Sequence, residues 1–308
     1  MRRYFLCITA MFTAASAFAA IPDSLTVKTD AIYPEGIAYF SKTGDFFISS
    51  LSKGTIGRVN QKGEYFPFSH LEDGELISTV GMWVDTPRKR LLACVSDPGV
   101  GRFSAETTKE QYARLVIFDI PTKKKTHALE LSKLVKGKHF CNDLTVDKAG
   151  NIYITDSFSP VIYVVNTQHK VKVFARSPSF SGEGFNLNGI VYHPDGYLLV
   201  AKYNDGTLWK IEIKTKAISQ VILPEPYPAN TEVAGIQNGK DNKIRKFKTT
   251  DGWKTAKAEK TVDTGLRFPT TGVKVDGKVY VIEGKLDELF ADPKKANSKE
   301  FTIKGFAL

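Results

Sequence analysis

The sequence predicts an all-β chain closed into a six-bladed β-propeller of four-stranded blades, and three observations predict it. First, a short phrase repeats: an acidic, Asn or other residue, then Gly or Asp, then an aliphatic strand former. It reads Glu35-Gly36-Ile37, Val80-Gly81-Met82, Asn142-Asp143-Leu144, Asn188-Gly189-Ile190 and Thr271-Gly272-Val273. Counted on the middle residue, the steps are 45, 62, 46 and 83 residues, and one four-stranded blade consumes about 40–45. The last interval then spans two blades, which makes six with one anchor missing. Second, short β-rich runs alternate with turn residues, and no long window after the first twenty residues sustains a helical period. Third, Leu25 to Lys28 and Phe301 to Phe306 are strand-like segments at opposite ends of the chain. They are placed to pair and close the ring, which removes exposed sheet edges.

The elements follow in order. The first blade reads Glu35 to Phe40, Phe46 to Ser50, Thr55 to Asn60 and Tyr65 to Phe68, separated by turns at Lys42-Thr43-Gly44-Asp45, Lys53-Gly54 and Lys62-Gly63. Second strands are expected again at Leu91 to Ser96, Ile152 to Asp156, Tyr197 to Ala201 and Val279 to Glu283. Third strands are expected at Leu115 to Asp119, Val161 to Asn166, Thr207 to Ile211 and Lys243 to Phe247. Asp195-Gly196 and Asp276-Gly277 suit tight hairpin turns, where Gly accepts positive φ. Blade two carries an insertion, Pro98 to Ala113, read as a surface loop over the mouth. Its Gly99-x-Gly101 is no phosphate loop, because no helix follows it. Blade five is expected to be short. From Trp209 to Arg245 the third-strand step is 36 residues, against 46 and 47 in the two preceding steps. Leu223 to Pro228 holds three prolines, which cannot serve a central inner strand.

Residues 1–20 read as a secretory signal peptide: Arg2 and Arg3, an apolar stretch from Tyr4 to Phe18, then Ala19-Ala20. The propeller domain is then 21–308, exported to the periplasm or secreted, with no stable membrane insertion after cleavage. The hydrophobic fraction of 42% and mean hydropathy of -0.20 fit an ordinary globular protein rather than a disordered or membrane one. Without Arg2 and Arg3 the formal charge falls from +10 to +8. The Lys runs lie in turns and no basic stripe is interleaved with aromatics, which argues against a nucleic-acid partner. Cys94 and Cys141 lie in adjacent expected blades, where a disulfide is conceivable but two buried free thiols are the expectation.

In a propeller the residue opening each inner strand points toward the axis. Glu35, Asn142 and Asn188 share that slot in blades one, three and four. One carboxylate and two amide carbonyls are hard oxygen donors suited to Ca²⁺, with Zn²⁺, Mn²⁺ or Mg²⁺ as alternatives.

Pro34-Glu35-Gly36-Ile37-Ala38-Tyr39, the run Cys141 to Asn151 and the run Leu187 to Gly196 resemble the gluconolactonase / senescence-marker-protein / luciferin-regenerating-enzyme family. The resemblance covers most of the chain after the signal segment. It implies a six-bladed propeller with one divalent metal in the shaft and hydrolysis of lactones or related esters. It makes Glu35 and Asn188 metal ligands and sets Asn142 against the attacking water or the substrate, as the catalytic residue. The family's remaining ligand is an Asp opening the inner strand of blade five, where this chain has its proline-rich stretch. Glu232 and Asn230 are the substitute ligands nearby, with Asp241 beyond them.

His139, Asp143 and Asp156 are further candidates for the mouth, although Asp156 at a strand end also suits a structural role. The five His residues show no zinc spacing, and no Gly-x-Ser-x-Gly elbow appears. Trp83, Trp209 and Trp253 read as core packing. The sequence therefore points to an enzyme, a metal-dependent hydrolase of small cyclic esters. The alternative is a non-catalytic propeller of the NHL kind that serves as a binding or scaffolding module.

Overall fold

The computed structural model describes residues 21–69, 74–223, 236–238 and 241–308. Strand β1 (Ser24–Lys28) precedes a first blade of β2 (Ile37–Phe40), β3 (Asp45–Ile48), β4 (Gly57–Val59) and β5 (Tyr65–Pro67). The second blade is β6 (Ser78–Asp85), β7 (Arg90–Ser96), β8 (Ala113–Asp119) and β9 (Lys125–Glu130). The third is β10 (Cys141–Val146), β11 (Ile152–Asp156), β12 (Val161–Val165) and β13 (Val171–Arg176). The fourth is β14 (Leu187–His193), β15 (Tyr197–Lys202), β16 (Thr207–Glu212) and β17 (Ile218–Val221). Then come β18 (Ile236–Gln237), β19 (Lys243–Lys248), β20 (Lys257–Asp263), β21 (Pro269–Val275), β22 (Lys278–Glu283), the helix α1 (Leu286–Ala291) and β23 (Glu300–Ala307).

These strands make an all-β propeller. Among the described residues, five sheets have four strands and β18-β19-β20 form a three-stranded sheet. Five complete blades therefore replace the expected six. The proline-rich stretch, with Asn230 and Glu232, lies outside the described residues, as does the expected signal segment. Among the described residues no helix is long and apolar enough to cross a membrane.

The repeated phrase of the sequence marks a repeated backbone device. Thr79 pairs with Val95 but Met82 with Ala93. Cys141 pairs with Asp156 but Leu144 with Ile154, and Leu187 pairs with Lys202 but Ile190 with Val200. Pro269 and Gly272 face Glu283 and Val281 in the same way. Each time, three steps on the inner strand match two on its partner, which is a β-bulge. A bulge breaks the two-residue alternation and re-aims a side chain. Glycine is required where neighbouring inner strands touch at these bulges. A Cβ on Gly36 would lie 2.3 Å from the Val80 carbonyl oxygen, and one on Gly81 would lie 2.5 Å from the Asn142 carbonyl oxygen.

The core lies between blades, where alternating apolar residues of adjacent sheets meet. Phe46 of β3 packs on Tyr280 of β22 at 5.4 Å between ring centroids, and Phe68 packs edge-on to Phe118 at 5.7 Å. The ring closes as the termini suggested: β1 pairs antiparallel with β23 from Ser24↔Lys304 to Lys28↔Glu300. Asp276 and Gly277 both take positive φ in the β21–β22 hairpin, the geometry of a type I′ turn.

Three expectations are corrected. Cys94 and Cys141 are joined in a disulfide, with Cα atoms 5.3 Å apart. The reason is packing: inner strand β10 lies against β7 as well as β6, so residues 47 apart in sequence meet across the blade boundary. Trp83 is not core; it is 37% exposed at one end of the shaft. The inserted loop does not line the mouth cavity. It is knotted about Asp97, which accepts from Gly99 N, Ser104 Oγ and Thr108 Oγ1.

Candidate site at the mouth of the shaft

The bulges sort the inner-strand residues into two cavities. One, of about 180 Å³, is floored by Glu35, Asn142, Asn188, Asn238 and Thr270. The other, of about 390 Å³, is reached by Asp143, Gly189, Met82, Ile37 and Thr271. Successive residues such as Asn142 and Asp143 thus face different cavities. Glu35, Asn142 and Asn188 come together; Asp143 does not join them.

Hydroxyls at the ends of the second strands hold this geometry. Ser49 Oγ accepts from the backbone N–H of Glu35 at 3.2 Å and of Gly36 at 2.7 Å. Thr155 Oγ1 accepts from Asp143 N at 3.2 Å and donates to the Asn188 carbonyl at 2.6 Å, tying two bulges in different blades together. Ser157 Oγ donates to the Leu187 carbonyl at 2.5 Å and accepts from Asn142 Nδ2 at 2.9 Å. That contact fixes the amide, leaving Asn142 Oδ1 buried with no hydrogen-bond partner among the described residues. Glu35 Oε2 is in the same condition. A buried acceptor left unpaired costs about 1–3 kcal/mol, so two at one cavity mark a place where a donor or cation would be held.

Burial raises the Glu35 carboxyl to about 8, with the charge of Asp143 adding to the effect. Burial also raises Asp143 to about 7, against the opposing hydrogen bonds from the Leu144 and Ile190 backbone. Among the described residues no group of three or more His, Cys, Asp or Glu side chains is placed to hold a metal. An ion here would rest on one carboxylate with amide oxygens, a hard donor set that fits Ca²⁺ and does not suit copper.

The apolar walls were not foreseen. Leu51, Val80, Phe140 and Leu286, all buried, line the cavity together with Phe185, Phe268 and the exposed Phe290. Phe140 and Phe185 pack edge-on at 5.1 Å. Two signals were available: every expected second strand in blades one to three ends in Ser, Thr or Asp, and Phe precedes an anchor at residues 140 and 185.

His139 and Asp156 lie behind the wall rather than in the mouth. Asp156 accepts from His139 Nδ1 at 2.8 Å, Phe140 N at 2.8 Å, Phe158 N at 3.0 Å, Ser159 N at 3.0 Å and the Tyr163 hydroxyl at 3.0 Å. His139 Nε2 lies 2.9 Å from the Val135 carbonyl, so each ring nitrogen faces an acceptor. Burial lowers the His139 pKa, but the Asp156 hydrogen bond and charge outweigh it and the net shift is upward. This pair anchors the backbone that carries Phe140.

No family model matches the chain, and no curated protein matches it in sequence. Solved structures do match in fold. The major allergen Mala s 1 of Malassezia sympodialis superposes with a TM-score of 0.69 at 17% identity, over 93% of this chain and 96% of that one. A gluconolactonase from Xanthomonas campestris gives 0.57 at 15% identity, over 92% and 89%. Virginiamycin B lyase from Staphylococcus aureus gives 0.53 at 10% identity, over 91% and 98%. In fold, the chain is similar to propellers that include gluconolactonase and virginiamycin B lyase.

Proposed function

We propose that this chain is an exported, metal-dependent hydrolase of lactones or small cyclic esters, built on the propeller. The observation that carries the reading is the pair of unpartnered acceptors, Glu35 Oε2 and Asn142 Oδ1, at a cavity shared with Asn188. Glu35 and Asn188 would hold one divalent ion, Ca²⁺ before Zn²⁺, Mn²⁺ or Mg²⁺. When bound, such an ion polarises a carbonyl and lowers the pKa of water. Asn142 Oδ1, acceptor-only in its fixed orientation, would receive a hydrogen bond from the attacking water and aim it at the carbonyl carbon. The apolar walls would exclude bulk water from the reacting centre. The Cys94–Cys141 disulfide supports export, since such bonds persist in oxidising compartments.

Titration calorimetry with Ca²⁺, Mn²⁺ and Zn²⁺ should show binding tighter than about 1 mM, the weak end for extracellular calcium modules. Lactone hydrolysis should disappear with chelator, and in both Glu35→Gln and Asn188→Ala. Full activity in both variants would refute the site. A binding module is the second reading, favoured by one observation: Glu35 is the only carboxylate among the described residues lining the cavity. That reading predicts ligand binding without turnover.

A further inference from the structure

The mouth cavity joins a small polar floor to hydrocarbon walls, and that division says what kind of ester would fit. We infer that its ligand is an apolar-tailed cyclic ester, carbonyl down on the Glu35–Asn142–Asn188 floor, rather than a polyhydroxylated sugar lactone. The inference deepens the proposed hydrolase function and rests on it for the word ester.

Three features of the lining carry it. First, hydroxyl groups on a ligand need partners, and the polar members of the described lining are Glu35, Asn142, Asn188, Tyr203, Asn238 and Thr270, some of them already committed. Asn142 Nδ2 is used by Ser157, Thr270 Oγ1 donates to the Pro34 carbonyl at 3.3 Å, and among the described residues no Lys, Arg or His lines the cavity. The two unpartnered acceptors, Glu35 Oε2 and Asn142 Oδ1, can each take one hydroxyl proton, but a sugar lactone carries about four hydroxyls, and stripping water from the rest against hydrocarbon is unfavourable. Second, the walls are hydrocarbon. Phe140 and Phe185 line the cavity and both pack on Phe158, which is outside the lining, at 5.5 and 4.8 Å between ring centroids. Phe185 also meets Tyr203 edge-on at 6.4 Å. Third, the outer rim is apolar and open. Phe290, on α1, is 45% exposed although it lines the cavity. An exposed aromatic beside a lined cavity offers a surface for a ligand tail to cover.

Size sets the rest. A dry cavity of about 150 Å³ holds a molecule as large as benzene, so about 180 Å³ here takes one ring of five or six atoms. A tail longer than a few carbons must therefore leave past Phe290. Each methylene buried on the way should tighten binding about fourfold.

The test uses the full chain with two probe series carrying tails from methyl to hexyl: γ-lactones, and the matching γ-lactams, which resist hydrolysis. Glucono-1,5-lactone is the polar comparison. Calorimetry on the lactams should show affinity rising about fourfold per methylene over the first carbons, then levelling as the tail passes Phe290. Phe290→Ser, at an exposed position, should flatten the later part of the series while leaving calcium binding and the melting temperature unchanged. Lactam affinity independent of tail length, no lactam binding at all, or tighter binding and faster turnover of glucono-1,5-lactone would each overturn the inference. The two readings separate cleanly: lactams binding with the predicted slope but lactones left intact would end the hydrolase reading alone. Turnover confined to the sugar lactone would end this inference alone.

Discussion

At the scale of single residues, the site depends on positions where nothing larger fits. Gly81 sits where the inner strands of blades two and three touch, and an added Cβ would meet Asn142 O at 2.5 Å and Asp143 Cα at 2.8 Å. Both are backbone atoms that cannot rotate aside, so Gly81→Ala should cost about 1–3 kcal/mol of stability, as overpacking does. It should also push Asn142 off the floor. Gly74→Ala is the control: among the described residues nothing lies within 4 Å of its built Cβ, and a change within about 0.5 kcal/mol is expected there. Urea unfolding of the two variants makes the comparison. A Gly81→Ala protein as stable as the control would remove close strand approach as the reason for this glycine. Glu35, Asn142 and Asn188 were legible because a slot repeated at blade spacing is visible in sequence. The walls were not. Phe140, Phe185 and Phe290 obey no common period, and only the folded chain brings these loop and helix residues to one cavity.

At the scale of elements, the repeated phrase was legible as a pattern but not as a bulge. Strand alternation places Asn142 and Asp143 on opposite faces, and the sequence carries no mark that an extra residue has been inserted. The bulges are held by buried hydroxyls, which leads to a test. Thr155→Val keeps the shape but removes the Oγ1 that serves Asp143 N and Asn188 O. Leaving two buried backbone groups unpaired should cost about 1–3 kcal/mol for each. Lactone activity should fall further than global stability does, because the lost contact joins the bulges carrying Asn142 and Asn188. The disulfide acts between elements as well. Cys94 and Cys141 close a loop of 47 residues, for which the chain-entropy model gives about 4 kcal/mol. The double variant Cys94→Ala/Cys141→Ala should unfold at lower urea, with a loss of about 2–4 kcal/mol. The free-thiol expectation failed because blade spacing alone does not reveal that β10 lies against β7, which is a feature of how neighbouring blades nest.

At the scale of the whole molecule, closure joins the two ends of the chain, and the pairing of Leu25 to Lys28 with Phe301 to Phe306 was readable from strand-like termini. The polar clasp beside it was not. Glu288, on α1, accepts from the Tyr33 hydroxyl and from Ser298 Oγ at 2.7 Å, and its Oε1 takes the Asn297 N–H at 3.0 Å. These groups come from the start of the first blade and from the segment leading into the last strand. Partial burial would raise the Glu288 pKa, but the hydrogen bonds from Tyr33, Ser298 and Asn297 prevail and bring it down to about 2. The carboxylate is therefore better stabilised in the folded ring than in the unfolded chain, whose value is near 4.5. A depressed carboxyl of this kind contributes stability that is fully present above pH 4.5 and is lost as pH falls toward 2. The clasp should hold the ring at neutral pH and release it in acid. Glu288→Gln keeps the size of the side chain and cannot carry the charge. The stability gap between wild type and Glu288→Gln should be widest at pH 6–7 and should close between about pH 4.5 and 2. Urea unfolding across that range measures it. A gap that stays constant down to pH 2 would show that Glu288 holds the ends together by shape alone, with no part played by its charge.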